Sequence, residues 1–377
     1  MLKKIIALIL LMTNVLFVIG AEAVNDLTPT AKSAVMIDAS SGTVLYSKNK
    51  DQKLGMASTT KIMTGILAIE NGNLNDVYTV SQTGEWVEGS SIYLNPGEKI
   101  TLETLLYGLL LKSGNDAALA IAIHIAGSEK AFVNMMNDKA AELGLNNTHF
   151  ANPHGLYAED HYTTAHELAI LASHAMKNPV FAQIVNTVQY KEEPVGERDG
   201  RVINNANKLV SLYSEAIGVK PGYTPETGRT LVGAAEKSGI KVITVTLDCS
   251  DDWQEHKNMF DYAFKNFEKK VILKKGESIG TYRVKNGNYN EVGVVLNEDI
   301  SLLVKKDSAP MYEIQMQPQQ LTAPVMEGQK VGSAKFLFDG GAVQEVSLIT
   351  NSDVPIREKN FFKVIWDLFL AIFGVRN

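Results

Sequence analysis

Ala57-Ser58-Thr59-Thr60-Lys61 opens a long helical stretch that closes near Asn71-Gly72. A serine and a lysine three positions apart on a helix share one face and lie within reach of each other. A serine hydroxyl is a weak nucleophile until a neighbouring base takes its proton, and a neutral lysine amine can be that base. The spacing alone says little, because Ser47…Lys50 and Ser238…Lys241 repeat it. Standing alone, the pair reads equally well as a helix-capping serine followed by a solvated lysine. Two motifs downstream change that balance. Ser113-Gly114-Asn115 falls in a break between helical segments, and Lys220-Pro221-Gly222, followed by Tyr223 and Thr224, falls on a strand. Each is weak by itself: turn-favouring residues break helices routinely, and K-x-G also occurs at Lys53 and Lys274. Their order, and the elements on which they fall, make the set specific.

Working outward, the chain reads as α+β. Ala34–Asp38 and Thr43–Tyr46 form a strand pair around Ala39-Ser40-Ser41-Gly42. Helical segments follow at 102–127, interrupted at 112–115, then at 130–143 with Gly144 closing it, and at 164–176. Strands resume over 215–220, 229–235 and 241–247, and 252–267 reads as a closing helix. Strands at both ends with helices between them predict one antiparallel sheet covered by helices, its first and last strands paired. This domain is expected over 24–268. Beyond it, short alternating segments at 278–284, 291–296, 300–305, 311–317, 335–338 and 343–350 predict a small all-β domain over 269–350.

The chain has 377 residues, enough for two domains and a sizeable core. Its composition, 45% hydrophobic and 21% charged, is that of a globular protein, and a net charge of −6 offers no basic patch for nucleic acid. Lys3 and Lys4, the apolar run Ile5 to Ile19 and Ala21-Glu22-Ala23 predict a cleaved leader over 1–23, hence an exported protein. The single cysteine, Cys249, rules out an internal disulfide and reads as a small buried thiol at the end of a strand. Near the C-terminus, within 357–377, the run Phe361 to Val375 is apolar except for a narrow stripe containing Lys363 and Asp367, with Arg357, Lys359 and Arg376 flanking it. That pattern predicts an amphipathic helix lying on a membrane surface, since the run is too short to span a bilayer comfortably.

The three motifs in order mark the class A β-lactamases and penicillin-binding proteins. The chain resembles the low-molecular-mass penicillin-binding proteins of the D-alanyl-D-alanine carboxypeptidase type, serine peptidases of the S11 type. Flanking text extends the match: Ala39–Tyr46, Gly65–Glu70, Asn115–Ala118, Phe150–Leu156 and Gly218–Thr224. The resemblance implies a penicillin-binding/β-lactamase-like transpeptidase domain, working on peptidoglycan stem peptides at the outer face of the cytoplasmic membrane and acylated by β-lactams. It further implies that Ser58 attacks the bond between two D-alanines and that Lys61, kept neutral by burial and by Lys220, accepts its proton. Ser113 would relay a proton to the leaving amine, and Asn115 would hold the substrate amide. The backbone N–H groups of Ser58 and Tyr223, beside Gly222, would form the oxyanion hole. Lys220 would supply positive potential and Thr224 a hydrogen bond to the terminal carboxylate. No metal or organic cofactor is implied.

One position departs from the pattern. Pro221 stands where the third motif has Thr or Ser, and it removes both a hydroxyl and a backbone donor. Two other readings follow from particular residues. Glu142-Leu-Gly-Leu-Asn146 could serve a class A β-lactamase as its deacylating E-x-x-L-N loop, although Gly144 reads as a helix end. Pro221 could mark a non-catalytic penicillin sensor or wall-binding protein. His154 and His166 read as structural or solvent-exposed, and Glu85, Trp86 and Tyr93 could line the substrate cleft.

Overall fold

A computed structural model describes residues 26–358 except 82–85, 194–199, 318 and 339–342, together with Trp366, Phe369 and Leu370. The expected leader, Glu85 and most of the C-terminal helix therefore lie outside the described residues. The chain begins with β1 (Ser33–Asp38) and β2 (Val44–Lys48), passes a tight turn at Ala57–Thr60, and enters α1 (Lys61–Asn71). A short hairpin, β3 (Val77–Thr79) and β4 (Lys99–Thr101), leads to α2 (Leu102–Leu111), α3 (Asn115–Ala126), α4 (Glu129–Glu142), α5 (Ala165–Met176) and α6 (Pro179–Asn186). A second hairpin, β5 (Gln189–Lys191) and β6 (Val202–Asn204), and one turn of helix, α7 (Leu209–Leu212), precede β7 (Ala216–Thr224), β8 (Gly228–Lys237), β9 (Ile240–Leu247) and α8 (Asp252–Asn266).

The main sheet runs β2-β1-β9-β8-β7, antiparallel throughout. The expected pairing of first and last strands is present as Ser33 opposite Leu247 through Asp38 opposite Val242. Alternation along β1 divides the core between two faces. Val35 and Ile37 pack with helices α1 to α6, whereas Met36 packs with Met259, Phe260 and Ala263 of α8. Side-chain oxygens of Thr101, Ser128 and Thr164 accept backbone N–H groups and so start α2, α4 and α5. Gly127, at φ +78°, ends α3. Cys249 is buried, as its strand-end position predicts.

The chain runs from α8 directly into β10 (Phe267–Leu273), where sequence periodicity continues the helix to 267. Then follow β11 (Ser278–Lys285), β12 (Glu291–Leu296), β13 (Ile300–Lys305), β14 (Tyr312–Met316), β15 (Gln320–Thr322), β16 (Lys330–Phe338) and β17 (Val343–Thr350). Six of these form a sheet in the order β14-β16-β17-β12-β11-β15, and β10 pairs with β13. Their apolar faces enclose a separate core around Val294, Leu296, Phe336 and Leu348. The architecture is that of a helix-covered antiparallel sheet followed by an all-β domain.

Candidate active site

Ser58 and Lys61 do not lie on one α-helical face, as their spacing predicts. Ala57–Thr60 is a single 3₁₀ turn, with Ala57 at φ +45°, and the α-helix begins at Lys61. In 3₁₀ geometry residues i and i+3 nearly eclipse, which brings the serine hydroxyl over the lysine amine. Several neighbours fix the turn. Thr60 Oγ1 donates to the Ala57 carbonyl at 2.7 Å, and Thr230 Oγ1 from β8 donates to the Met56 carbonyl at 3.1 Å. His161 Nδ1 accepts from Ala151 N at 2.9 Å, so its proton sits on Nε2, which donates to Thr60 Oγ1 at 2.7 Å. Burial holds this imidazole down at about 4, which keeps it neutral. Gly155, at φ +88°, lies so close that a Cβ there would fall 2.0 Å from the Ala57 carbonyl oxygen.

Lys61 is fully buried. Desolvation pushes its amine well below the ordinary lysine range, and the neighbouring Lys220 charge pushes the same way. Its Nζ has three partners: the His154 carbonyl at 2.5 Å, Asn115 Oδ1 at 2.7 Å and Ser58 Oγ at 3.0 Å. A neutral amine has two N–H donors and one lone pair. The carbonyl and the carboxamide oxygen can only accept, so they take both donors. The lone pair is left for the third direction, toward the Ser58 hydroxyl. Burial and Lys220 favour the neutral amine, and its three neighbours orient it.

Asn115 is oriented in turn, because its Nδ2 donates to the Glu88 carbonyl at 2.5 Å. Next to it the buried Asp116 carboxylate accepts from Ser91 Oγ at 2.6 Å and from the N–H groups of Ile92 and Leu94 at 3.1 Å each. These bonds fasten the segment around 88–94 to the start of α3. Ser113, between α2 and α3, has φ +66° and is 9% exposed; its hydroxyl makes no hydrogen bond among the described residues. Trp86 and Tyr93 are largely exposed and line an open cavity of about 580 Å³ beside Asp116.

The opposite wall is β7, an edge strand paired only with β8. Gly222 faces the Ser58 turn: a Cβ there would lie 2.8 Å from Ser58 N and 2.5 Å from Thr230 Oγ1. Lys220, two residues earlier on the same face, is fully buried, donates to the Pro221 carbonyl at 3.0 Å, and is lowered by desolvation to about 7. Tyr223 pairs with Arg229, whose carbonyl accepts from Cys249 N on the far side. The Tyr223 N–H therefore points to the free edge, and Pro221, two residues before it, has the same orientation. A proline there breaks no ladder bond, which is why β7 tolerates it. It does remove one N–H from the edge facing the cleft. Thr224 ends the strand. Its Oγ1 accepts from Thr227 N at 3.2 Å and sits 3.0 Å from Thr227 Oγ1, so the hydroxyl holds the β7–β8 turn.

Ser58, Lys61 and Asn115 are thus joined directly by hydrogen bonds, and Gly222 of β7 packs against the Ser58 backbone. Sequence reading missed the His154 and Glu88 carbonyls, His161, Gly155 and Asp116. The Phe150–Leu156 and Asn115–Ala118 matches contained His154, Gly155 and Asp116, and no signal pointed to Glu88 or His161. Glu142, the candidate deacylating base of a β-lactamase, is exposed and paired with Lys139 at 2.9 Å. His166 lies 3.8 Å from Asp51, away from Lys61.

Fold and site together define a serine hydrolase built on the sheet shared by penicillin-recognising enzymes. A family model described as D-alanyl-D-alanine carboxypeptidase matches residues 20–251, and one for the penicillin-binding protein 5 C-terminal domain matches 267–355. The chain belongs to this S11 family of D-alanyl-D-alanine carboxypeptidases. It is 35% identical to the carboxypeptidase DacF of Bacillus subtilis over 88% of this chain and 87% of the relative. Against DacC of Escherichia coli it is 30% identical over 91% and 88%. Penicillin-binding protein 5 from Haemophilus influenzae superposes with a TM-score of 0.70 at 28% identity, covering 86% of this chain and 98% of that one.

The close packing of Gly222 against the Ser58 backbone gives a direct test. Gly222→Ala should displace the Ser58 turn and reduce D-alanine release by on the order of a hundredfold. Near-native thermal unfolding with this loss is the expected result; full activity would show that the contact does not position Ser58.

Proposed function

We propose that this carboxypeptidase removes the terminal D-alanine from peptidoglycan stem pentapeptides through an acyl-enzyme on Ser58. β-Lactams acylate the same serine. The observation that carries the reading is the arrangement of Lys61, whose lone pair is aimed at Ser58 Oγ by two fixed acceptors. Lys61 takes the hydroxyl proton as Oγ attacks the carbonyl carbon between the two D-alanines. The N–H groups of Ser58 and Tyr223 stabilise the oxyanion. Ser113, with an uncommitted hydroxyl, passes the proton to the leaving amine, and D-alanine departs. Water then attacks the acyl carbon with the proton returning along the same route, which frees Ser58. Asn115 orients both Lys61 and the substrate amide. The Lys220 charge attracts the terminal carboxylate, and Thr224 Oγ1, on the same face of β7, offers it a hydrogen bond.

Two proton states define the working range. Lys61 must be neutral, so activity rises with pH as its depressed pKa is passed. Lys220 must be charged, and it loses its proton near pH 7. The expected kcat/KM profile is a bell whose alkaline limb begins near 7 and disappears from the neutral range in Lys220→Arg, since guanidinium keeps its charge. Ser58→Ala should release no D-alanine while folding normally. A wild-type profile flat through neutrality would remove Lys220 from carboxylate binding.

Pro221 leaves the cleft edge short of a hydroxyl and an N–H. Restoring both with Pro221→Thr should raise the acylation rate constant by about tenfold, the worth of a regained hydrogen bond to a charged group. An unchanged rate would mean that neither group contributes here.

The amphipathic character of 357–377 and the leader pattern of 1–23 support residence at the outer face of the cytoplasmic membrane, held peripherally. Among the described residues no helix is long and apolar enough to cross a membrane. Flotation with vesicles containing anionic lipid is the check. The full chain should rise with the vesicles and a chain ending at residue 356 should not; equal behaviour would discard the anchor.

A further inference from the structure

The second domain carries a polar groove that hydrolysis of a D-alanyl bond does not use. Two cavities, of about 790 and 590 Å³, share Met316 and Gln319 in their walls. Strand register builds the first. Gln315 stands opposite Lys335 and Lys335 opposite Glu345, with Ser333 opposite Ser347 one row away. Ala334 and Phe336 point the other way, into the core. A polar outer face is ordinary for an antiparallel sheet with one buried side. What is not ordinary is the concavity and the state of its polar groups.

Tyr282, 3% exposed, lines the second cavity, and its hydroxyl is shut from water with no hydrogen-bond partner among the described residues. It lies at the seam between the cavities: an added Cβ on Gly332 would be 2.9 Å from Gln319 Nε2 and 3.6 Å from Tyr282 Oη. The carboxamides of Gln317, Gln319 and Gln320 likewise have no partner among the described residues, although all three border the groove. The acidic groups are occupied, Glu345 by Ser333 Oγ at 2.5 Å and Glu291 by Thr281 Oγ1 at 3.4 Å. Lys330 and Arg283 have no ion pair among the described residues. The two cavities are lined by three cations, Lys330, Lys335 and Arg283, and two carboxylates, Glu345 and Glu291, a net charge of +1.

We propose that the groove binds a strand of N-acetylated amino sugars bearing carboxylate substituents, the glycan of the polymer whose peptides the first domain trims. A carboxamide presents a donor pair and an acceptor on one side chain, which matches both the acetamido groups and the hydroxyls of such sugars. The Met316 thioether is a soft apolar contact for the C–H face of a ring, and Lys330 and Arg283 attract the carboxylates. A peptide ligand would be expected to add a strand to a sheet edge through backbone bonds. This groove is walled by the two end strands of the sheet, β14 and β15, and what it presents is a row of polar side chains.

The identity of the sugar polymer rests on the peptidoglycan reading, but binding does not require Ser58. The test is co-sedimentation and calorimetry of the full chain with glycan strands stripped of their peptides. Wild type and Ser58→Ala should bind alike. Gln319→Ala and Gln320→Ala, both exposed in the groove, should each weaken binding by about tenfold. Neither should change kcat/KM for a soluble pentapeptide. Absence of binding to stripped strands, equal affinity in Gln319→Ala, or displacement by a sugar-free stem peptide would each overturn the groove. Retained strand binding with no pentapeptide hydrolysis would support the groove and strike only the catalytic reading.

Discussion

A lysine amine enclosed on every side sheds its proton, because no bulk water remains to solvate the charge. At Lys61 that single constraint organises the cleft. Once neutral, the amine needs two acceptors and one donor around it, and the fold supplies them from three distant parts of the chain. Asn115 comes from the start of α3, the His154 carbonyl from the loop before α5, and the Ser58 hydroxyl from the turn before α1. Remove any one and the lone pair gains freedom to rotate away from the serine. The supporting contacts serve the same end: Glu88 fixes the Asn115 amide, and Gly155 lets its loop lie directly on the Ala57 carbonyl.

The second requirement is an open edge. β7 pairs on one side only, and its face toward Ser58 carries Lys220 and Gly222 while its free edge carries the Tyr223 N–H. The nucleophile is thereby held between a rigid helical subdomain and a strand still able to receive an extended chain. Pro221 takes one donor from that strand without disturbing the sheet. It alters what the edge offers a substrate and leaves the base machinery untouched.

How much of this was legible beforehand follows from which atoms do the work. Side chains that must be Ser, Lys or Asn leave a mark in sequence, so Ser58, Lys61, Ser113, Asn115 and Lys220 could be picked out, and so could the helix-covered sheet. Backbone carbonyls leave none, because any residue supplies one; the contributions of His154 and Glu88 were invisible for that reason. The 3₁₀ turn was misread as helix because both conformations favour the same spacing. The contact of Thr224 with Thr227 was invisible because Thr227 lies in a turn that no periodicity describes. The strands β3 to β6 and β15 were too short to show alternation, and β10 was hidden by running on from α8 without a break.

The pairing of β1 with β9 has a consequence for when the enzyme can exist at all. The interior strand of the sheet is written first in the chain, and the strand that completes its far side is written some two hundred residues later. A growing or truncated polypeptide that stops before Ile240 has the nucleophile turn and the lysine but no closed sheet to bring β7 up against them. The wall that β7 sets against the Ser58 turn therefore requires the chain through β9, which joins β8 to β1.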